Sequence, residues 1–375
     1  MQIAPFATEH FYALYEFITP HLLSVSDCET VTVEELLAMS GRSLGDFGRM
    51  KLGYTESQGN PALRETVATT YERVTAEQTI ILSSPEEGIY LTMRSILEPE
   101  DEVIVLTPAY DSLINLAQHV SDNVKLWPLQ QSDNGWALDL ERLETLAGPQ
   151  TKLIVVNFPH NPTGFLPTVA ELAAVVEIAQ KTGAWLFCDE MYRGLELGGR
   201  PSLPSAADLY ERAIVLSGLS KVYGLPGLRS GWLVAADKAV RDSLINWKFY
   251  TSICPPAPSE FLALAALEAR ETLVGRSLAL VEKHVALAAD FFREHDDFFQ
   301  WKRPQGSSVS LAEVNVPSAL DYCHRLAQEA GILLLPGSCL GAGERMVRFG
   351  FGRAAFPQDL AAYQKVIKTG RPFST

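Results

Sequence analysis

Residues 153–164 read LIVVNFPHNPTG, an apolar run that passes directly into a turn-forming sequence. Such a run indicates a strand buried on both faces, as strands of parallel sheets are. Six further runs share the pattern: TIILSS (79–84), EVIVLTP (102–108), VKLWPL (124–129), AWLFCDE (184–190), AIVLSG (213–218) and GWLVA (231–235). Helical segments lie between several of them, around 87–98, 111–120, 138–147 and 168–182. We therefore predict an α/β fold with a mainly parallel sheet of seven strands and helices on both faces.

The pattern changes after residue 255. Residues 259–295 carry apolar residues at helical spacing, and shorter strand-like and helical segments follow them. We expect an N-terminal arm with part of the small domain at 1–45, a large α/β domain at 46–270 and a small α+β domain at 271–375.

Composition restricts the partners of this chain. The 375 residues include 31 basic and 45 acidic ones, which gives a net charge of −14, and no basic run stands out. A nucleic-acid or anionic-membrane partner is therefore disfavoured, and a small-molecule site is favoured.

The five cysteines are scattered and lack metal-ligand spacing, so we predict buried, reduced thiols and no metal site. The N-terminal sequence lacks the pattern of a signal peptide, and no apolar run approaches the roughly 18 residues of a membrane span. We expect a cytoplasmic protein.

Polar residues follow the ends of three of the predicted strands. Asn161 follows the first run, Asp189 and then Tyr192 follow AWLFCDE, and Ser220 and Lys221 follow AIVLSG, with Arg229 eight residues further on. Ligands of parallel α/β sheets bind beyond the carboxyl ends of the strands, so we expect these side chains to meet there. Each residue alone has an ordinary structural explanation as a turn, cap or surface residue, but the set together indicates a site with an amine nucleophile.

The motifs NPTG (161–164), DEMY (189–192) and SKVYGLPGLRSGW (220–232) resemble those of fold type I pyridoxal-phosphate enzymes of the class I/II aminotransferase family. The resemblance covers most of the chain. It implies pyridoxal 5'-phosphate as cofactor, amino acids and 2-oxo acids as substrates, and a homodimer with composite sites.

The resemblance assigns roles to the residues around the cofactor ring. Lys221 would form the Schiff base and later move the substrate Cα proton. Asp189 would keep the pyridine nitrogen protonated, so that the ring can act as an electron sink. Asn161 and Tyr192 would donate to the phenolate oxygen of the ring, and Tyr110 would stack on its face.

The cofactor phosphate would be held by Arg229, Ser220 and the helix start at 84–88. Two departures from the family pattern lie there. Pro85 and Glu86 replace small residues, so one N–H donor is missing and Glu86 is expected to turn away from the phosphate. Gly218 stands where a hydroxyl is common, and Ser217 is a candidate replacement.

Two further residues, which lie far from these motifs in the sequence, also match positions of the family. Tyr54 matches a tyrosine that reaches the phosphate of the partner subunit. Arg348, in RMVRFGFGR (345–353), matches the clamp for the substrate carboxylate, where bidentate geometry requires arginine. Its neighbours Arg345 and Arg353 are expected to face solvent.

The sequence gives less information about the side chain of the substrate. The N-terminal segment resembles the arm of pyridoxal-phosphate enzymes that act on arginine in antibiotic biosynthesis, and it carries Glu16, Asp27 and Glu29. These carboxylates could select a cationic side chain, or they could cap helices and face water. Alternatively, Tyr12, Tyr15 and Phe17 could line a pocket for an aromatic or aliphatic side chain.

Three functions are therefore considered. The first choice is an amino-acid aminotransferase with a ping-pong cycle. The second is an oxidase, cyclase or lyase that uses the same cofactor on a basic amino acid such as arginine. The third, a ligand-sensing regulator, is disfavoured because no segment of helix-turn-helix size precedes residue 40.

Overall fold

In the computed structural model, which describes residues 3–132 and 135–369, seven strands form one central sheet. The strands of the described residues are β1 (His21–Leu22), β2 (Thr79–Leu82), β3 (Glu102–Thr107), β4 (Asn123–Pro128), β5 (Gln130–Ser132), β6 (Gly135–Ala137), β7 (Thr151–Asn157), β8 (Trp185–Asp189), β9 (Ala213–Gly218), β10 (Gly231–Ala235), β11 (Phe299–Trp301), β12 (Val309–Val314), β13 (Ile332–Leu333), β14 (Leu335–Pro336) and β15 (Met346–Gly350).

The helices of the described residues surround this sheet and build the smaller lobe. They are α1 (Ala7–Tyr15), α2 (Val33–Met39), α3 (Leu44–Gly48), α4 (Pro61–Ala68), α5 (Pro85–Ile96), α6 (Asp111–Val120), α7 (Leu140–Leu146), α8 (Val169–Thr182), α9 (Ala206–Leu209), α10 (Lys238–Phe249), α11 (Ala257–Glu268), α12 (Arg270–Glu294), α13 (Ala319–Ala330) and α14 (Phe356–Lys368). Among the described residues, no helix is both long and apolar enough to cross a lipid bilayer.

The central sheet has the order β2-β10-β9-β8-β7-β3-β4. All neighbouring strands are parallel except β10, which is antiparallel to both β2 and β9. The seven strands coincide with the seven apolar runs, so the predicted fold class is confirmed. Strands β7 and β8 are almost entirely buried because helices cover both faces.

The second lobe contains an antiparallel sheet with the order β11-β12-β15-β14, packed against α12 to α14. The predicted helix at 259–295 is divided into α11 and α12 at Ala269. The proposed domain limits at residues 45 and 270 stay a prediction, and the chain ends they include extend beyond the described residues.

The N-terminal segment joins the two lobes. Strand β1 pairs in parallel with β13, and Leu23 continues this pairing through its N–H to the Leu333 carbonyl at 3.0 Å. Helix α1 is held to the large lobe by the Thr8 N–H, which donates to Asp111 Oδ2 at 2.8 Å. The segment therefore lies over the edge of the sheet where β7, β8 and β9 end.

The five cysteines form no disulfide within the described part of the chain. Cys28, Cys188, Cys323 and Cys339 are buried as expected, whereas Cys254 is only partly buried.

Candidate active site

A cavity of about 570 Å³ opens where the central strands end. Strand register places Asn157, Asp189 and Leu216 side by side on β7, β8 and β9, so the loops that follow converge. Eleven of the residues predicted from the sequence line the cavity: Tyr12, Pro85, Glu86, Tyr110, Asn161, Asp189, Tyr192, Ser220, Lys221, Arg229 and Arg348.

Lys221 projects its amine toward the N-terminal segment. Its Nζ donates to Ser26 Oγ at 2.7 Å. Desolvation lowers the pKa of the amine, and Arg348 acts in the same direction, whereas Asp27, Glu9 and Asp189 oppose the shift. A lowered pKa favours the neutral amine, which is the form that attacks a carbonyl.

Asp189 is buried at the end of β8. Its Oδ1 accepts a hydrogen bond from the Met191 N–H at 3.0 Å, and burial raises the pKa of the carboxyl to about 6. Asn157, which the sequence analysis did not single out, ties this strand end to the next loop. Its side chain donates to the Asp189 carbonyl at 2.8 Å and accepts from the Asn161 N–H at 2.7 Å.

Arg348 lies on β15 with only 2% of its surface exposed. Its Nη1 donates to Asn161 Oδ1 at 3.0 Å, and Nη2 donates to the Tyr12 hydroxyl at 2.8 Å and to the Ser24 carbonyl at 3.0 Å. No acidic side chain is among these partners, so no carboxylate neutralises the guanidinium charge, which can pair with an anion in the cavity. Tyr12 therefore supports the arginine.

The two neighbouring arginines do not reach the cavity. Arg345 is exposed and pairs with Glu313. Arg353 was expected to face solvent, but its Nη2 donates to the buried Asp27 at 2.6 Å. The reason is that a buried carboxylate requires a partner, and Asp27 passes directly beside the end of β15.

Two buried hydroxyls in the cavity lack a hydrogen bond of ordinary geometry within the described residues. They belong to Ser220 and to Tyr192, whose hydroxyl lies beside the Ser26 side chain. Burial raises the pKa of Tyr192, so the phenol is a neutral donor. Buried polar groups are almost always paired, so these two fit a ligand with acceptor oxygens, as pyridoxal phosphate has.

The start of α5 forms one wall of this end of the cavity. Ser84 caps the helix by accepting from the Glu87 N–H, and Pro85 occupies the first turn. A Cβ atom at Gly218 would lie 3.0 Å from both Pro85 Cγ and Gly231 Cα. The two departures from the family pattern are thus linked, because the proline ring takes the space that a larger residue at 218 would need.

Glu86 was expected to turn away from the phosphate, which stays a prediction. Its side chain lines the cavity and accepts a hydrogen bond from Ser112 Oγ at 3.3 Å. Burial raises the pKa of its carboxyl to about 7, with further contributions from Glu9 and Asp189, while Arg229 opposes the shift. A carboxylate beside a phosphate is unfavourable unless it is protonated.

Glu87 also fixes the start of helix α5. Its carboxylate accepts from the Ser83 N–H at 2.8 Å and from Ser252 Oγ at 2.6 Å, and it pairs with the fully buried Lys248 at 3.5 Å. The first turn of α5 is therefore fixed to the segment after α10.

Other predicted residues lie outside the cavity. Ser217 lines a separate cavity of about 460 Å³ together with Tyr71 and Trp232. Its side chain lies on the face of β9 that is turned away from the active-site cavity. Tyr54 is 93% exposed. Glu16 is half-buried. Its burial, and to a smaller extent the neighbouring charge of Asp27, raises the pKa of its carboxyl.

The carboxylate that does line the cavity from the N-terminal segment is Glu9. It accepts a hydrogen bond from the Tyr110 hydroxyl at 2.6 Å. Glu9 and Tyr12 are three residues apart on α1 and share one face, so helical spacing could have indicated Glu9.

Comparison with known proteins agrees with this geometry. The family model for aminotransferase class I and II matches residues 22–361, and the chain belongs to this family. Its cofactor is pyridoxal phosphate and its fold is that of the family's fold type I members.

Three similar proteins each cover 85% or more of this chain. Capreomycidine synthase of Streptomyces vinaceus is 29% identical over 352 residues, covering 92% of this chain and 90% of that protein. A probable aspartate/prephenate aminotransferase of Thermus aquaticus is 29% identical over 338 residues, covering 85% and 84%. The structure of a pyridoxal-phosphate-dependent aminotransferase of Streptococcus suis has a TM-score of 0.91 at 31% identity, covering 98% and 99%.

Proposed function

We propose that the chain is an aminotransferase that moves an amino group between an L-amino acid and a 2-oxo acid in a ping-pong cycle. The observation that carries this proposal is the placement of Lys221, Asp189 and Arg348 in one cavity. The cofactor, when bound, supplies an aldehyde for the amino group and a conjugated ring that delocalises the electrons of the substrate Cα.

The side chains of this chain supply the remaining functions. Lys221 would hold the cofactor and move the Cα proton, Asp189 would hold the ring nitrogen, and Asn161, Tyr192 and Tyr110 would contact the ring. Ser220, Arg229 and the start of α5 (Pro85 and Glu86) would bind the phosphate. Arg348, supported by Asn161 and Tyr12, binds the substrate carboxylate through its planar fork of donors.

The test is an oxygen-free half-reaction. The purified yellow protein is mixed with single amino acids and followed by absorbance for conversion of its cofactor to the pyridoxamine form. Conversion by one class of amino acid, reversed by a 2-oxo acid, supports the proposal. Absence of conversion with every amino acid tested contradicts it.

A second candidate is an oxidase, cyclase or lyase that acts on a basic amino acid. Glu9 favours it, because a carboxylate at the cavity wall can pair with a cationic side chain. The similarity to capreomycidine synthase supports the same choice. In the half-reaction, consumption of arginine or lysine without formation of pyridoxamine would favour this candidate, provided that Glu9→Gln slows the consumption. Glu16 and Asp27, which were proposed from the sequence, would be substituted next.

We also propose a homodimer with composite sites. Leu52, Tyr54, Tyr250 and Ile253 expose between 52% and 93% of their surfaces, which is typical of residues that a partner covers. Analytical ultracentrifugation tests the dimer. Mixing Tyr54→Ala with Lys221→Ala protein tests the shared site, because hybrid dimers would regain one intact site and hence part of the activity.

A further inference from the structure

The segment of residues 23–29, here called the strap, crosses the cavity between the two lobes. Its Leu23 carbonyl accepts from the Gly350 N–H at 2.8 Å, and its Glu29 N–H donates to the Gly352 carbonyl at 2.8 Å. Near its far end, the Cys28 N–H donates to the Lys221 carbonyl at 3.3 Å. The strap is thus bonded to the backbone of the reactive lysine itself.

Glycines stand where the strap makes its closest approaches. A Cβ atom at Gly350 would lie 1.8 Å from the Val25 carbonyl oxygen, and one at Gly352 would lie 2.4 Å from that of Asp27. Gly224, with a φ of +68°, approaches the Glu29 carbonyl in the same way, at 2.4 Å. Any side chain at these positions would displace the strap, so the sequence fixes its path against the lysine loop.

Ser26 lies in the middle of the strap and lines the cavity. Its carbonyl accepts a hydrogen bond from the buried Ser308 Oγ at 2.5 Å, which holds the backbone from the second lobe. Its hydroxyl accepts from Lys221 Nζ at 2.7 Å. A serine hydroxyl both donates and accepts, so it can remain bonded to the amine in either protonation state.

We propose that Ser26 is a further catalytic residue, which orients the amine of Lys221 and stabilises its charged form during transfer of the substrate Cα proton. This inference rests on the role proposed for Lys221. In the step, the Cα–H bond breaks and an Nζ–H bond forms, so the neutral amine becomes an ammonium. The electron pair of the broken bond stays on the substrate carbon, where the cofactor, when bound, would delocalise it.

The contact with Ser26 has two effects on that step. The hydrogen bond uses one N–H group of the amine, and this restricts the directions in which the nitrogen lone pair can point. It also stabilises the ammonium, since a hydrogen bond from a charged donor is about twice as strong as one between neutral groups. The charged and titratable groups that act on Lys221, on Ser26 or on its neighbours in the strap are Asp27, Arg348, Glu9, Asp189, Glu16, Cys28, Arg353 and Tyr192.

The experiment compares Ser26→Ala with Ser26→Thr in the holoenzyme. We expect Ser26→Ala to retain the absorbance of the bound cofactor and the KM, and to lower kcat about tenfold, the equivalent of one charge-assisted hydrogen bond. The isotope effect with α-deuterated substrate should rise. The acidic limb of the kcat profile should move to lower pH, because the ammonium loses an acceptor. Ser26→Thr, which keeps the hydroxyl, should restore most of kcat.

The control is Ser121→Ala, which removes a buried hydroxyl bonded to the Asp101 carbonyl, far from the cavity in the fold. An unchanged kcat, isotope effect and pH profile in Ser26→Ala would overturn the inference. Loss of cofactor in both Ser26 variants would also overturn it, since that result indicates a structural role. If wild-type protein converts no amino acid, or if Lys221→Ala retains turnover, the proposed function itself fails.

Discussion

The two ends of the cavity differ in how far their polar groups are already paired. At the lysine end, Lys221 bonds Ser26, and Arg348 bonds Asn161 and Tyr12. At the phosphate end, the buried Ser220 hydroxyl has no partner among the described residues, and Glu86 accepts only a long hydrogen bond at 3.3 Å. The protein thus organises the reacting end by itself, whereas the phosphate end requires a bound anion to complete it.

The largest expected effect is at the lysine end. Lys221→Ala removes both the covalent attachment and the proton-transferring amine, so we expect kcat to fall by about 10⁴-fold or more. The yellow absorbance of the attached cofactor should disappear from the spectrum of the purified protein. Full turnover by this variant would refute the assignment of the nucleophile.

The next effect concerns Asp189. Asp189→Asn keeps the shape but removes the negative charge beside the ring nitrogen, so Cα-proton exchange with deuterated solvent should slow by about 10²-fold or more. The cofactor should stay bound, because the phosphate contacts are unchanged. An exchange rate equal to that of wild type, measured by NMR, would contradict the proposed role.

Arg348 should give a smaller loss. Arg348→Leu removes the charge-assisted fork, and we expect kcat/KM for amino acids to fall by about 10²-fold, mainly through KM. Arg345→Leu is the matched control, because Arg345 directly precedes the same strand and pairs with Glu313 at the surface. If the control loses as much as Arg348→Leu, the choice between the arginines is wrong.

The smallest effect tests the phosphate end. The pKa of Glu86 is raised to about 7, so its carboxyl is mostly neutral at pH 6 and mostly charged at pH 8.5. An ionised Glu86 repels the phosphate, so cofactor affinity should fall as the pH rises through 7.

Glu86→Gln removes this titration. We expect the variant to match wild type in cofactor Kd at pH 6 and to bind about tenfold more tightly at pH 8.5. The cofactor phosphate, Glu9, Asp189 and Arg229 are common to both proteins, so the ratio of the two Kd values isolates Glu86. If the ratio of the two Kd values does not change with pH, the proposed difference between the lysine end and the phosphate end of the cavity is wrong.

The sequence alone determined the class of fold and the part of the site that follows its strands. Each strand appears as a short apolar run, and NPTG, DEMY and SKVYGLPGLR lie directly after strand ends. Parallel strands bring their carboxyl ends to one edge, so local order along the chain was enough to place Asn161, Asp189 and Lys221 together.

Only the tertiary structure decided which distant residues join them. Ser26 meets Lys221 across 195 positions of the chain, and Arg348 meets Tyr12 across 336. Likewise, Arg353 pairs with Asp27, and Glu9 rather than Glu16 is the carboxylate that the N-terminal segment contributes to the cavity. These contacts depend on the path of the N-terminal segment, that is, of α1 and the strap. Hydrophobic periodicity predicts whether an element is buried, but it does not predict which distant segment covers it.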